Sequence, residues 1–398
     1  MSKCSFSLPV KQLLHPGESQ RDDPSDCYDV FIKFQSAKNI PKMDLIGHAD
    51  PYFVANIDEK ISFTSTIVPN TASPQWNDHE WIVRNIPSTA KLSVSVYDKD
   101  DKKPIDDYIG SFKILNIVNY HPHLDGHTIR GILNRDRGRF YLSINAVKSN
   151  NESQQLARYT NDSPCRYSRH DDTIAGQFTK LNNEHVYSTF EIQLRRSTYF
   201  FRQHGRQYWS RDHDLAQIVF GTHPLGLVTK TSVKLAHRAL YEQTVKHNES
   251  GVLHNGDELW KLVFMDKTTQ RIKPCIYTYT IDDSTWRFSE TNNKCFTDYV
   301  SKHVVLADAS EYVLCAGQFH PRPKFGWNRS SDDWELVFDN ASGTYTPGIH
   351  VLESLKELLL FNFPGLSIVT YNYKDPLLKE SLEQLKLAAK NYESHDKI

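Results

Sequence analysis

Short segments of alternating apolar and polar residues, separated by turn residues, fill the first third of the chain from Tyr28 to Ala146. Alternation with a period of two predicts strands that bury one face. Short strands at this spacing predict an antiparallel eight-stranded β-sandwich over residues 28–148. The predicted strands are 29–34, 51–57, 63–68, 80–83, 92–97, 109–114, 127–132 and 139–144.

The pattern changes in the second half, where helical and strand-like periods are mixed. Residues 232–247 and 375–392 repeat apolar side chains at helical spacing, and Asp375 followed by Pro376 is a typical helix start. Mixed helices and strands predict an α+β domain over residues 178–398, so the chain is multidomain. The strand-like runs are 259–264, 275–280, 312–319, 334–338 and 368–371.

Two segments lack any sustained period. Residues 1–27 are polar and carry three prolines, which predicts a mobile N-terminal arm. Residues 149–177 are rich in Asn, Ser, Gln, Arg and Asp and have no apolar period, which predicts a polar linker between the two domains. Two domains agree with a length of 398 residues, which is long for one ordinary domain.

Charge and cysteine content narrow the function classes. With 47 basic and 48 acidic residues, the chain is not a globally basic nucleic-acid binder, and no nucleic-acid partner is expected. The six cysteines are scattered without metal-ligand spacing and are expected to be reduced thiols. No apolar run is long enough to span a bilayer, and the start lacks a signal-peptide core. We therefore expect a cytoplasmic protein that reaches membranes reversibly.

Two separated turns carry many aspartates. Asp44 and Asp50 lie in the first turn, and a larger group lies in the second, each after a predicted strand. If the sandwich brings the turns together, the carboxylates repel one another unless a cation neutralises them. Ca²⁺ accepts irregular oxygen geometry, whereas Mg²⁺ demands a near-octahedral shell, so calcium is expected. The alternative is a pair of solvated acidic loops. The second-turn aspartates are Asp98, Asp100, Asp101, Asp106 and Asp107.

These turns resemble a known family, the C2 domain, over residues 28–148. Residues 44–52 (DLIGHADPY) look like its first calcium loop, 73–78 (SPQWND) look like its Asn-Pro-x-Trp-Asn-Glu turn, and 96–110 look like its third loop. The resemblance implies two or three Ca²⁺ ions. The third loop is one residue longer than in the best-known calcium-binding members, so Asp106 competes for the last ligand position. The implied ligands are Asp44, Asp50, Asp98, Asp100 and Asp107.

Calcium-dependent binding of anionic phospholipid is the function that this resemblance implies. The anionic cytoplasmic leaflet repels the acidic loops, and bound calcium would reverse their charge. Only Lys60 lies on the strand where phosphoinositide-binding members carry a basic stripe, so phosphoinositide specificity is not expected. The apolar loop residues either insert into lipid or pack beneath their own loops. The expected membrane contacts are Leu45, Ile46, Lys99, Lys102, Lys103 and Ile105.

The second domain has no strong catalytic signature. Residues 195–209 interleave arginines with aromatic side chains, which suits a membrane interface or single-stranded nucleic acid, but also an ordinary exposed strand-turn. Cys315, His320 and either Asp339 or Asn340 offer the groups of a thiol-based triad. Cys315, however, lies in an apolar strand pattern typical of a buried, inert thiol.

Three hypotheses follow for the whole chain. In the first, the C2-like domain docks on anionic membrane in calcium and recruits a second domain that binds a partner protein or ligand. In the second, the chain is a membrane-targeted enzyme with its site near His320 and Asp339. In the third, it is a calcium-independent scaffold. The second half, through residues 352–366, resembles an uncharacterised region of fungal and protist C2-containing proteins, which implies no chemistry.

Overall fold

The computed structural model describes most of the chain. The described residues are 26–43, 48–101, 106–172, 187–221, 226–241, 248–267, 269–290, 301–326, 333–345 and 347–395. Residues 1–25 of the expected arm lie outside them, and Cys27 already begins the first strand. Among the described residues, no helix has the length and apolar character needed to cross a bilayer.

Every segment expected as a strand in the first half overlaps an observed one. These strands are β1 (Cys27–Lys38), β2 (Pro51–Ile57), β3 (Ile61–Thr64), β4 (Gln75–Pro87), β5 (Leu92–Asp98), β6 (Asp107–Ile114), β7 (His127–Arg130) and β8 (Asp136–Lys148). A further strand, β9 (Thr160–Asn161), pairs with β4, and the sheet order is β3-β2-β5-β6-β7-β8-β1-β4-β9. All neighbouring pairs are antiparallel.

The sheet closes over an aromatic core. The ring centroid of Phe34 on β1 lies 4.5 Å from that of Phe53 on β2, although β1 and β2 are far apart in the sheet order. Phe53 also meets Trp76 of β4 at 4.9 Å and Phe140 of β8 at 5.2 Å. Strands that are distant in the order therefore face each other, as in a β-sandwich. All four rings are buried, and each stabilises the fold by about 1.5–3 kcal/mol.

The expected polar linker at 149–177 is wrong over the part that the structure describes. Residues 149–172 contain a helical turn, α1 (Asn151–Gln154), the strand β9, and β10 (Cys165–Asp172), which belongs to the second sheet. Polar side chains hold this segment in place: the Asn150 side chain, for example, accepts a hydrogen bond from the Ser153 backbone N–H at 2.8 Å. Polar composition therefore marks capped and hydrogen-bonded chain here, which a search for apolar periods does not detect.

The second half is built on an eight-stranded sheet in the order β13-β10-β11-β15-β14-β17-β18-β19. Only its last pair, β18 with β19, is parallel. A small ladder joins β12 to β16. The new strands are β11 (Tyr187–Gln193), β12 (Gln207–Tyr208), β13 (Asn248–Leu253), β14 (Tyr277–Ile281), β15 (Thr285–Glu290), β16 (Tyr312–Val313), β17 (Cys315–Pro323), β18 (Trp334–Asp339) and β19 (Ile368–Tyr371).

Helices cover this sheet. They are α2 (Ser197–Phe200), α3 (Asp214–Phe220), α4 (Gly226–Tyr241), α5 (Gly256–Val263), α6 (Lys302–Leu306), α7 (Val351–Asn362) and α8 (Pro376–His395). The segments expected as helices fall in α4 and α8, and Asp375 caps α8 by accepting the Leu377 N–H at 2.9 Å. Leu355 and Leu359 of α7 are fully buried against the sheet core.

The run 259–264, expected as a strand, is wrong because it lies almost entirely in α5. Asn255 caps this helix by accepting the Glu258 N–H at 3.0 Å, and Leu259, Leu262 and Val263 form its buried face. A short apolar run fits a strand and a buried helix equally well, and the polar cap decides between them.

Candidate functional site

Three strand ends bring aspartates to one edge of the first sheet. In the pairing of β2 with β5, Pro51 is opposite Asp98, and in the pairing of β5 with β6, Asp98 is opposite Asp107. Asp50 precedes Pro51, and its backbone N–H donates to Asp98 Oδ1 at 2.6 Å. Carboxylates that are 57 positions apart in the numbering, from Asp50 to Asp107, therefore share one edge.

The first loop is anchored by an asparagine that the sequence analysis missed. The Asn70 backbone N–H donates to Asp50 Oδ1 at 2.6 Å, and the Asn70 side chain accepts the His48 backbone N–H at 2.9 Å. Asn70 has φ of 53°, in the left-handed region that asparagine tolerates better than most residues. The available signal was an Asn in a turn, which suits many ordinary turns as well.

Asp106 has a different environment from the other loop aspartates. Its Oδ1 lies 3.3 Å from Lys99 Nζ and accepts the Asp100 backbone N–H at 3.4 Å, while its Oδ2 accepts the Tyr52 hydroxyl at 2.8 Å. Burial and this carboxylate both raise the pKa of Tyr52, so the phenol stays a neutral donor. The Tyr52 ring also stacks on Tyr97, with centroids 5.4 Å apart. Both carboxylate oxygens of Asp106 are thus held by the protein.

Lys99 is placed differently from the expected membrane contact. Its side chain is only 4% exposed and its ammonium group faces Asp106. A buried, paired ammonium does not reach lipid phosphate, so this expectation is corrected. The sequence pattern placed Lys99 in an acidic turn but gave no sign that the turn folds inward onto Tyr52.

The remaining expected site residues divide into two groups. Asp50, Asp98, Asp100 and Asp107 are described and lie at the loop edge. The others lie outside the described residues: Asp44, Leu45, Ile46, Lys102, Lys103 and Ile105.

The donor chemistry at this edge fits a hard cation, because every described candidate ligand is a carboxylate. Over the described part of the chain, however, no three His, Cys, Asp or Glu side chains are arranged as a metal-binding group. Asp44, which the family resemblance adds to the set, is not among those residues. The described geometry therefore supplies part of a ligand set, with carboxylates positioned by the ends of β2, β5 and β6.

A cavity of about 300 Å³ separates this edge from the second half of the chain. Its walls contain the Lys99–Asp106 pair on one side and α4 on the other. The loop edge therefore adjoins the second half directly. The lining residues are Tyr52, Thr64, Ile67, Lys99, Asp106, Ser168, Glu191, Arg238 and Tyr241.

A charged cluster joins the two halves away from the cavity. Asp162 is buried, and its carboxylate lies 2.8 Å from Arg84 Nε, 3.3 Å from Arg195 Nη2 and 2.9 Å from Arg196 Nε. Burial alone would raise the pKa of Asp162, but hydrogen bonds from Arg196 and Arg84 outweigh it and hold the pKa below its ordinary value. Arg84 also reaches Asp29 at 3.1 Å. Because Asp162 lay in the expected linker, the sequence analysis missed this cluster.

The arginine-aromatic stretch at 195–209 is explained by contacts inside the protein. Arg195 and Arg196 bind Asp162, and both guanidiniums also lie over the Phe361 ring. Arg206 pairs with Asp283 at 3.1 Å. These contacts match the ordinary structural interpretation of the stretch rather than a nucleic-acid surface.

The residues considered for a thiol-based triad do not form one. Cys315 and His320 are five positions apart on β17, so their side chains point to opposite faces of the sheet. Burial raises the pKa of the Cys315 thiol to about 12, and burial with Arg322 nearby lowers that of His320 to about 3. His320 Nε2 lies 2.8 Å from Ser381 Oγ of α8.

The two acidic and amide candidates are also occupied. Asp339 Oδ1 accepts the backbone N–H groups of Gln318 at 3.0 Å and Ala341 at 2.8 Å. Asn340 donates to the Pro347 carbonyl at 2.8 Å and accepts the Tyr373 N–H at 2.9 Å. These contacts tie loops to the sheet, so the structure gives no support to an enzyme site near His320 and Asp339.

Comparison with known proteins matches the loop-bearing part of the chain. Residues 29–124 match the family model of the C2 domain. Synaptotagmin-4 of Arabidopsis thaliana is 31% identical over 102 residues, which are 24% of this chain and 18% of that protein. The calcium-dependent lipid-binding protein of the same plant is 26% identical over 156 residues, 34% of this chain and 29% of that protein. The chain thus covers less than a third of either relative.

A solved structure, that of a C2 domain from plant Extended Synaptotagmin 1, is similar over the same part. It has 24% sequence identity and a TM-score of 0.27, and the match covers 31% of this chain and 95% of that domain.

Proposed function

We propose, from the premise that residues 29–124 are a C2 domain, that this protein binds anionic phospholipid membranes in a calcium-dependent manner. The observation that carries the proposal is the convergence of Asp50, Asp98 and Asp107 at one edge of that domain. One relative is itself named a calcium-dependent lipid-binding protein, which supports the same chemistry here.

The ligand set that we propose is Asp44, Asp50, Asp98, Asp100 and Asp107, holding two or three Ca²⁺ ions. Asp107 is preferred to Asp106 because Lys99, Asp100 and Tyr52 already occupy both oxygens of Asp106. Lys99 then acts as an internal counter-charge rather than as a membrane contact. The remaining proposed membrane contacts are Leu45, Ile46, Lys102, Lys103 and Ile105.

The switch follows from charge. Without a cation, the carboxylates at the loop edge face an anionic leaflet that repels them. Bound calcium would supply positive charge and open coordination positions for lipid phosphate or carboxylate. Apolar loop side chains would then enter the interface, each contributing about 1.5–3 kcal/mol when fully buried.

The second half would be brought to the membrane as a fixed passenger, because the Asp162 cluster joins it to the first domain. We propose that it is an α+β domain that binds a partner protein or ligand. The protein would be cytoplasmic and reversibly membrane-associated.

Sedimentation with vesicles tests the function. The full chain should pellet with phosphatidylserine vesicles in calcium, and should stay in solution when a chelator is added. It should also stay in solution with phosphatidylcholine vesicles in calcium. Equal pelleting in calcium and chelator would contradict the calcium dependence, and no pelleting in any condition would contradict the membrane function.

The choice between the two adjacent aspartates gives a second prediction. Asp107→Asn should weaken calcium binding at least tenfold, because ligand charge sets affinity at such sites. Asp106→Asn should leave calcium binding close to that of the native protein. It should lower the free energy of unfolding by about 1–3 kcal/mol, because Lys99 loses its charged partner. Calorimetric calcium titration and urea unfolding measure the two effects, and the reverse pattern would assign the ligand role to Asp106.

A further inference from the structure

Helix α4 presents apolar side chains to solvent along one face. Leu227 is 78% exposed, Val228 63% and Leu235 62%. The opposite face is ordinary core: Val233 and Leu240 are buried with Val304, Val305 and Leu306. An amphipathic helix would normally carry polar residues on the exposed face, so three large apolar side chains there require a partner surface.

The same helix is basic. Its sequence, GLVTKTSVKLAHRALY, contains Lys230, Lys234 and Arg238 and no Asp or Glu. Lys230 lies 3.6 Å from Glu311, whereas Lys234 and Arg238 belong to the exposed face. Exposed leucine and valine beside exposed cations complement an anionic lipid surface, where tails take the apolar groups and head groups take the charge.

The position of the exposed face links it to the calcium loops. Residues eleven apart on an α-helix differ by about 20° in direction, so Leu227 and Arg238 lie on one stripe, and Leu235 lies within a quarter turn of it. Arg238 lines the cavity whose other wall holds Lys99 and Asp106 of the third loop. The stripe therefore ends at the mouth of that cavity, beside the loop edge.

We propose that α4 is a second membrane contact, an interfacial helix that lies on anionic lipid together with the calcium loops. This proposal rests on the proposed function, because calcium brings the first domain to the membrane. The two contacts come from different halves of the chain, and the cluster at Asp162 keeps them in register. The protein would then be oriented at the surface rather than tethered at one point.

The test compares two leucine substitutions with a matched control. Leu227→Gln combined with Leu235→Gln should lower the affinity for phosphatidylserine-containing vesicles at saturating calcium by at least about tenfold. Leu387→Gln removes an equally exposed leucine, 62%, from α8 and should leave it unchanged. Lys234→Gln should lower the affinity roughly fivefold and flatten its salt dependence.

Two readouts separate failure of this proposal from failure of the proposed function. Calorimetric calcium titration of the double variant without lipid should match that of the native protein, and its melting temperature should be unchanged. Native binding in calcium with equal binding by the double variant would overturn the role of α4 alone. Absence of calcium-dependent binding by the native protein would overturn the proposed function and the α4 contact with it.

Discussion

Asp98→Asn combined with Asp100→Asn is expected to abolish calcium-dependent vesicle binding. Removing two ligand charges should lower calcium affinity at least about a hundredfold, since ligand charge tunes such sites over several orders of magnitude. The fold should survive, because Asn at position 98 keeps the oxygen that accepts the Asp50 N–H at 2.6 Å. Without calcium, two fewer negative charges at the loop edge should hold stability level or raise it. Vesicle sedimentation and urea unfolding measure the two effects.

The control removes the same charge from the other end of the sandwich. Glu59 lies in the turn after β2, whereas Asp50 precedes that strand, and Asp125 lies in the connection after β6, whereas Asp107 begins it. Both control side chains are exposed. Glu59→Gln with Asp125→Asn should therefore leave calcium-dependent binding intact. Loss of binding in this control would mean that overall charge, and not the aspartate edge, governs the membrane response.

The strands of the first domain were predictable because their information is local. Each one has a period-two pattern between turn residues, as in β2 and β5, where buried and half-buried residues alternate. The aspartates that follow strands could be grouped for the same reason, since adjacent strand ends meet at one edge. The antiparallel C2 fold and the loop positions at Asp50, Asp98 and Asp107 thus follow from patterns that each span only a few residues.

The features that sequence reasoning missed depend on distant partners. The role of Asp106 is set by Tyr52, 54 positions away, and by the inward turn of Lys99. The role of Asp162 is set by Arg84, 78 positions before it, so its segment looked like a polar linker. Polar residues can be solvated or buried in partnerships, and composition does not distinguish these outcomes.

The cluster around Asp162 makes the two halves one unit, and Asp162→Asn is expected to show this. The substitution leaves Arg84, Arg195 and Arg196 without a carboxylate that is only 1% exposed. Breaking a buried ion pair costs about 3–5 kcal/mol, and the partly exposed arginines should bring the loss of unfolding free energy toward 3 kcal/mol. The matched variant is Asp283→Asn, whose pair with Arg206 is exposed on both sides, 48% and 42%. That loss should stay below about 1 kcal/mol.

The pH dependence of this difference identifies its cause. The pKa of Asp162 is held below its ordinary value in the folded protein, so its contribution is complete above the ordinary aspartate pKa, and is lost as pH falls through the lowered one. Urea unfolding of the native chain and Asp162→Asn should therefore differ at neutral pH and converge in acid. A difference that persists in acid would assign the loss to packing rather than to charge. Convergence would mean that an ion cluster couples the calcium loops to the second half, which α4 needs in order to reach the membrane beside them.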